Sequence, residues 1–247
     1  MTSDPPASAI SSSLLARADL NPGDRTGMFA LLERHFAGVS REQFEQDLDS
    51  KDCVLLLRDA AGGLVGFSTL AVYETSVDAA PVSVVCSGDT IVDPAAWSSA
   101  ALPRDWISAV KQLRNRFPRG PYYWLLLTSG FRTYRLLSTF WKDFWPRFDT
   151  ATPIAMQRLL DALAVERFGD RYDRNAGVVR FERPQVLRSH LAGVPPERLR
   201  DPHVAFFALR NAGHFRGDEL VCLCELSDSN LTRAGARMVF GPEARSR

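Results

Sequence analysis

The 247-residue sequence has little net charge, only four cysteines and four histidines, and no long apolar run. Each shortage excludes something. No stretch approaches the roughly 18 apolar residues that a membrane-spanning helix needs. Thirty basic against 29 acidic residues leave a formal charge of +1, so there is no electrostatic case for nucleic acid or an acidic membrane surface. Met1 to Ser12 is rich in Ser, Ala and Pro but has neither a basic start nor an apolar core. It reads as a flexible tail (1–12) rather than a signal peptide, and a cytoplasmic location is expected. Asn230-Leu231-Thr232 fits a glycosylation sequon, which without an export signal reads as chance.

Cysteine usage excludes a further class. Cys222 and Cys224 form a CxC within an apolar strand pattern, pointing to one face. No second Cys/His pair sits at zinc spacing, so two small buried side chains are expected rather than a metal or redox pair. Nor do Ser, His and Asp fall at any spacing that suggests a catalytic triad.

What is present is an ordinary globular balance, 45% apolar and 24% charged, in a chain long enough to bury a sizeable core. A strand is expected at 13–18, followed by two short helices. Met28, Phe29, Leu31, Leu32 and Phe36 keep helical spacing in the first, and Ser40 with Gln43 opens the second as a capping box. Cys53 to Leu57 and Leu64 to Tyr73 read as an antiparallel hairpin across Asp59-Ala-Ala-Gly-Gly63. Val82 to Val92 makes a third strand, rich in β-branched residues. A loop of small residues leads to Pro103 and a helix ending near Phe117. Tyr122 to Leu127 is the next strand, then an aromatic-rich helix runs to about Trp145. Strand, helix, strand in this order implies a crossover joining two parallel strands. Helix is expected at 153–168 and late strands near 203–209 and 220–226, joined by a long turn. The fold class is therefore α/β (α+β), a mixed, mainly antiparallel sheet with a central parallel pair. A single domain spans 13–247, and 150–200 reads as an insertion or lid.

This order resembles the GNAT superfamily, the Gcn5-related N-acyltransferases, over roughly 13–145. The local signature is Ile91 to Leu102: Val92-Asp93-Pro94 matches the family's strand-ending Val-x-Pro, while the pyrophosphate loop that follows departs from it. Trp97 stands where the family has a basic residue or Gln, and Ser98 and Ala100 stand where glycines are common. The resemblance implies N-acyl transfer from acyl-CoA, or from an acyl carrier protein, to a small amine by direct attack, with no metal. It equally allows a non-catalytic acyl-CoA-binding or interaction module, since the loop glycines are gone. It also implies a splay between the two parallel strands where the acyl arm lies.

On that footing Trp97, Ser98, Ser99, Ala100, Ala101 and Ser129 are candidate cofactor-binding residues, with Ile91 and Val92 pairing to the pantetheine amides. A small-residue loop opening a helix presents free N–H groups and the positive end of the helix dipole to a diphosphate. Arg104, Lys111, Arg114, Arg116 and Arg119 add a basic face for coenzyme A phosphates or an acidic carrier protein, unless they are simply solvated. Asp89 is the candidate base, or else an acid beside a bulge at Gly88. Glu74 competes for that role. Tyr134 is the candidate acid for the leaving thiolate, although it sits two or three residues early for the family's pattern. His35 reads as a packed or surface histidine. The aromatic stripe from Phe131 to Phe148 is core or an acyl tunnel, and Arg132 and Arg135 are placed to reach an acceptor carboxylate. A homodimer is a further expectation.

Overall fold

The computed structural model describes residues 10–241. In chain order the elements are β1 (Ser11–Ala16), α1 (Pro22–His35), β2 (Phe36–Ala37), α2 (Arg41–Asp49), β3 (Cys53–Arg58), β4 (Leu64–Val77) and β5 (Ala80–Val92). Then come α3 (Ala101–Arg114), β6 (Tyr122–Thr128), α4 (Phe131–Phe140), β7 (Phe144–Trp145), α5 (Ile154–Phe168), β8 (Tyr172–Asp173) and β9 (Val178–Val179). The chain closes with β10 (Val186–Leu187), α6 (Ser189–Ala192), α7 (Pro202–Arg210), β11 (Glu219–Glu225) and α8 (Arg233–Phe240).

Local chemistry sets the boundaries. Asn21 caps α1 by accepting the Asp24 N–H at 2.8 Å, and Pro22 fills the first helical position, where no N–H is needed. Ser40 caps α2 through the Gln43 N–H at 3.2 Å. The Asp59 carboxylate accepts the Ala61 and Gly63 N–H groups at 2.9 and 2.8 Å, which closes the β3–β4 turn.

Nine strands form one sheet in the order β1-β3-β4-β5-β6-β11-β9-β8, with β7 also on β11, and β2 pairs with β10 in a separate two-stranded sheet. Every described pairing in the larger sheet is antiparallel except β5–β6, which runs parallel. Both faces are covered, which is why β3 and β6 read as unbroken apolar runs rather than alternating ones. One face packs Leu55, Leu70, Val85, Trp124, Leu126 and Cys222 under α3, α4 and α7. The other packs Val54, Leu56 and Phe67 under α1 and α2, and Val84, Leu125 and Leu223 under α5. Each such fully buried aliphatic or aromatic side chain contributes on the order of 1.5–3 kcal/mol. All four cysteines are free thiols inside these layers.

Several expectations need correcting. Ser11 and Ser12 belong to β1 rather than to a tail, Ile10 directly precedes that strand, and residues 1–9 of the predicted tail lie outside the described residues. The segment 203–209 is helix α7, not a strand. Asp201 caps it through the His203 N–H at 3.0 Å, Pro202 opens it, and Val204 and Phe207 are buried one turn apart while Leu209 is 81% exposed. Helical period overrode an apolar composition that suits either state. The aromatic helix stops at Phe140, and Phe144–Trp145 pairs with β11 instead. Within 150–200, α5 is core, since Leu163 and Ala164 are fully buried. Asn230 is buried and bonds both Asp143 and Glu225, so the sequon is structural.

The turn that delivers β6 beside β5 rests on Gly120, whose φ is +64° and whose added Cβ would overlap the Pro81 carbonyl. Gly62 has a similar φ of +84° but open space around it. Gly120→Ala is expected to cost at least about 2 kcal/mol and Gly62→Ala about 1 kcal/mol. Urea unfolding midpoints check this, and equal losses would contradict the packing role given to Gly120.

Candidate functional site

The parallel ladder between β5 and β6 is short. It pairs Ser83 with Tyr122 through Ser87 with Leu126 and then stops, although β5 continues to Val92 and β6 to Thr128. The cause lies on the other side of β5. Between Ser68 and Leu70 one β4 residue, Thr69, faces two β5 residues, Gly88 and Asp89. Such a bulge bends the strand and sharpens its twist, turning β5 away from β6 just past the last paired residue. That last pair is fastened by the Trp124 indole N–H, which donates to Ser87 Oγ at 2.7 Å. Beyond it, Leu127 and Thr128 pair with β11.

The amide groups facing the gap follow from the ladder. Asp93 N–H bonds the Val65 carbonyl at 2.8 Å. Alternation along an antiparallel strand then turns the amides of Thr90 and Val92 toward the open side. One of these groups is already engaged: Trp97 Nε1–H donates to the Val92 carbonyl at 2.8 Å.

A cavity of about 760 Å³ runs through this gap and is lined from both faces of the sheet. Trp97, Ser99, Ala101, Arg132 and Arg198 line one part of it, and Ser129 follows β6 opposite Glu219. The Arg132 guanidinium stacks over Trp97 at 4.3 Å and donates to the Leu191 carbonyl at 3.2 Å, and burial together with nearby Arg198 pushes its pKa down. Asp47, Asp89 and Glu219 line another part, with Lys51 among them. Gly88 sits close to Lys51, and a Cβ there would meet Lys51 Nζ and Thr69 Oγ1 at 3.1 Å.

The three carboxyls share one electrostatic neighbourhood. Burial raises the Asp89 pKa, against the pull of Lys51. Burial raises Asp47 as well, with Asp89 adding to the effect. Glu219 is pushed up to about 8, first by desolvation and then by the charges of Asp89 and Asp47. Carboxyls so close together and so poorly hydrated cannot all ionise near neutral pH. Around pH 7 the cluster therefore keeps a proton, and Glu219, pushed up to about 8, is one group that can hold it.

The predicted site residues divide. Asp89, Ile91, Val92, Trp97, Ser99, Ala101 and Ser129 line the cavity, while Ser98 and Ala100 stand outside its lining. Glu74 pairs opposite Ser83 on the far side of the zipped stretch and accepts the Arg119 N–H at 3.1 Å. It does not reach the cavity. Tyr134 is fully buried, and its hydroxyl donates to the Pro146 carbonyl at 2.9 Å. Burial drives its pKa far upward, so it is a poor proton donor and is not placed for one.

The diphosphate cradle is also less open than the loop composition suggests. Ala101 N–H is taken by Ser99 Oγ at 3.1 Å, and Pro103 has no N–H to offer. The basic helix face is largely spent. Arg104 forks onto Asp105 at 2.7 and 3.1 Å, Lys111 meets Asp228 at 2.7 Å, and Arg114 bonds the Phe117 and Gly120 carbonyls at 2.7 and 2.5 Å. Arg135 pairs with Asp201 at 2.7 Å. Asp47, Lys51 and Glu219 escaped the sequence reading because they come from α2, the residues after it, and β11. Only the bulge at Gly88 brings them under one strand, and the Gly88-Asp89 pair was the signal that pointed there.

No protein-family model and no curated protein sequence matches the chain. It is similar to solved structures of N-acyltransferases at low identity. A conserved Enterococcus faecalis protein described as a probable N-acyltransferase shares 11% identity at a TM-score of 0.39, over 64% of this chain and 44% of that one. A GNAT-family N-acetyltransferase of Escherichia coli, in complex with CoA, shares 19% at 0.36, over 57% and 72%. Saccharomyces cerevisiae N-myristoyltransferase with bound myristoyl-CoA shares 16% at 0.39, over 49% and 29%. The chain thus spans less than half the length of two of the three. At these scores the likeness carries no further weight, and the reading of the site stands on its own residues. No helix among the described residues is long and apolar enough to cross a membrane.

Glu219 makes stability pH-dependent in a definite direction. Burial and its acidic neighbours push its folded pKa above the ordinary glutamate value, to about 8. The folded state therefore holds a proton that the unfolded state has released between those two values, and stability falls as pH rises through that window. Glu219→Gln removes this slope, so the variant should gain stability relative to the wild type between pH 5 and pH 8. Thermal unfolding across that range checks it; parallel curves would show that Glu219 is not desolvated.

Proposed function

We propose that the chain transfers an acyl group from a CoA (or carrier-protein) thioester to a small amine by direct attack, with no covalent acyl-enzyme. The observation that carries this reading is the break between β5 and β6, threaded by a cavity lined by Arg132 and Arg198 beside Trp97 and by the carboxyls of Asp47, Asp89 and Glu219. An extended thioester arm has the shape of the gap, and its amides would find strand-like partners in Thr90 and Val92. Arg132 and Arg198 supply charge for the donor's phosphates, while Trp97, Ser99, Ala101 and Ser129 complete the lining.

The chemistry then needs two things from the chain. An alkylammonium holds its proton to a pKa near 10, so a base must take that proton before the nitrogen lone pair can attack the thioester carbonyl carbon. Asp89, with its raised pKa, is suited to accept it. The carbonyl oxygen gains negative charge as the C–N bond forms, and an inward N–H of the β5 backbone is the natural donor to it. When the intermediate collapses the C–S bond breaks. At that point the nitrogen sheds its second proton, to solvent or to the departing thiolate, which can otherwise leave unprotonated. In this scheme Tyr134 has no role.

A second reading, a thioester-binding module without turnover, draws support from the same loop. Trp97 occupies the Val92 carbonyl, and Ser99 occupies one of the few helix N–H groups on offer. Thermal shift with acetyl-CoA and octanoyl-CoA, followed by thiol release over an amine panel, separates the readings. The enzyme reading expects stabilisation and release. Asp89→Asn should then lower kcat/KM by about 100-fold, whereas Tyr134→Phe should leave it unchanged. Stabilisation without release for any amine would favour the binding module, and no stabilisation by either thioester would remove both.

A further inference from the structure

The acid-lined end of the cavity is a chamber under the face that carries α1, α2 and α5. Its floor is Cys86, Gly88, Asp89 and Glu219, and its walls include Asp47, Ser50 and Lys51 on one side and Arg167, Phe168 and Arg171 on the other. Phe181, Arg183 and Gln185 lie over it, and Gln43 ties this cover to α2 by donating to the Arg183 carbonyl at 3.4 Å.

Two of the chamber's cations are held by neutral groups. Arg167 Nη2 donates to Ser50 O and Oγ at 3.2 and 3.4 Å. Arg171 Nε donates to the Phe168 carbonyl at 3.1 Å, with its guanidinium 5.5 Å from the Phe181 ring centre. Among the described residues, no carboxylate oxygen lies within the 4.0 Å ion-pair limit of Arg167, Arg171 or Arg183. Neighbouring arginines are satisfied: Arg174 meets Asp161 at 3.7 Å, and Arg180 meets Asp173 and Asp218 at 2.5 and 3.1 Å. The chamber therefore sets four cations, Lys51 included, against three carboxyls.

Resting on the acyltransferase reading, we propose that the acceptor is an amine that also bears an anionic group, a carboxylate or a phosphate, which Arg167, Arg171 and Arg183 recognise. The ammonium end lies toward Asp89 and Asp47, and the anion lies toward the α5 side, where planar guanidinium forks match both oxyanions. A polycation would meet a surplus of like charge there, and a plain alkylamine would leave the forks without a partner. Arg132 and Arg135, the sequence-based candidates for this role, are engaged elsewhere.

The test compares matched amines in the thiol-release assay: 6-aminohexanoate against hexylamine, phosphoethanolamine against ethanolamine, and spermidine as the polycation. At least one anionic member should exceed its neutral partner in kcat/KM by tenfold or more. Which pair does so tells carboxylate from phosphate. In Arg171→Gln/Arg183→Gln, both exposed positions, that ratio should narrow at least fivefold. Neutral amines or spermidine turning over as well as the anionic ones would overturn the proposal and leave acyl transfer standing. If no amine releases thiol, calorimetric titration with 6-aminohexanoate and phosphoethanolamine decides. Binding that weakens at least fivefold in the double variant keeps the anion site without the acyltransferase reading. Absence of binding, or binding indifferent to the variant, ends it.

Discussion

Everything that makes this sheet more than a packed scaffold depends on one extra residue in β5. Opposite Thr69 the strand spends two residues, Gly88 and Asp89, where its neighbour spends one. The hydrogen-bond ladder to β6 cannot follow the resulting bend, and backbone amides that a regular sheet would bury in pairs are left facing a gap. Unpaired amides inside a protein are costly unless something meets them. The Trp97 indole meets one, and the rest face the cavity. The same bend turns the Asp89 carboxyl toward α2 and β11, so that opening the sheet and gathering the acids are one event.

The elements that place this feature were readable from the amino acids. Apolar runs bounded by turn residues gave β3 and β6 to within a residue and placed β4 and β5, although β4 runs four residues further, to Val77, and the capping chemistry of Ser40 marked α2. The crossover between β5 and β6 followed from strand-helix-strand order, and with it the parallel pair. Where reading failed, the reason was physical. Residues 203–209 are apolar enough for a strand, and only the Asp201-Pro202 cap and the burial of Val204 and Phe207 decide for helix. Residues 150–200 looked like an insertion because their pattern is irregular, yet α5 packs Leu159, Leu160, Leu163 and Ala164 into the core under β6 and β11 while its end, with Arg167 and Phe168, lines the cavity.

Among the site residues, those on β5 and its following loop could be named because they are contiguous in sequence. Glu74 and Tyr134 failed for want of a third dimension: each is on the right element, but at the wrong end or on the wrong face. Glu219 and Lys51 show the converse. Each is an unremarkable charge in the sequence, and each acquires its character from a neighbour more than a hundred positions away, as the raised pKa of Glu219 beside Asp89 and Asp47 illustrates.

The indole of Trp97 has a consequence of its own. It fills the Val92 carbonyl with a donor that is removable, since the ring is 42% exposed and leans on Arg132 rather than on the core. An incoming amide would take over that carbonyl as the indole swings out into water, exchanging one hydrogen bond for another of about the same worth, near 1 kcal/mol. On the proposed acyl-transfer reading the carbonyl is thus never left dry, and Trp97 is a built-in fluorophore whose surroundings would change as the passage fills.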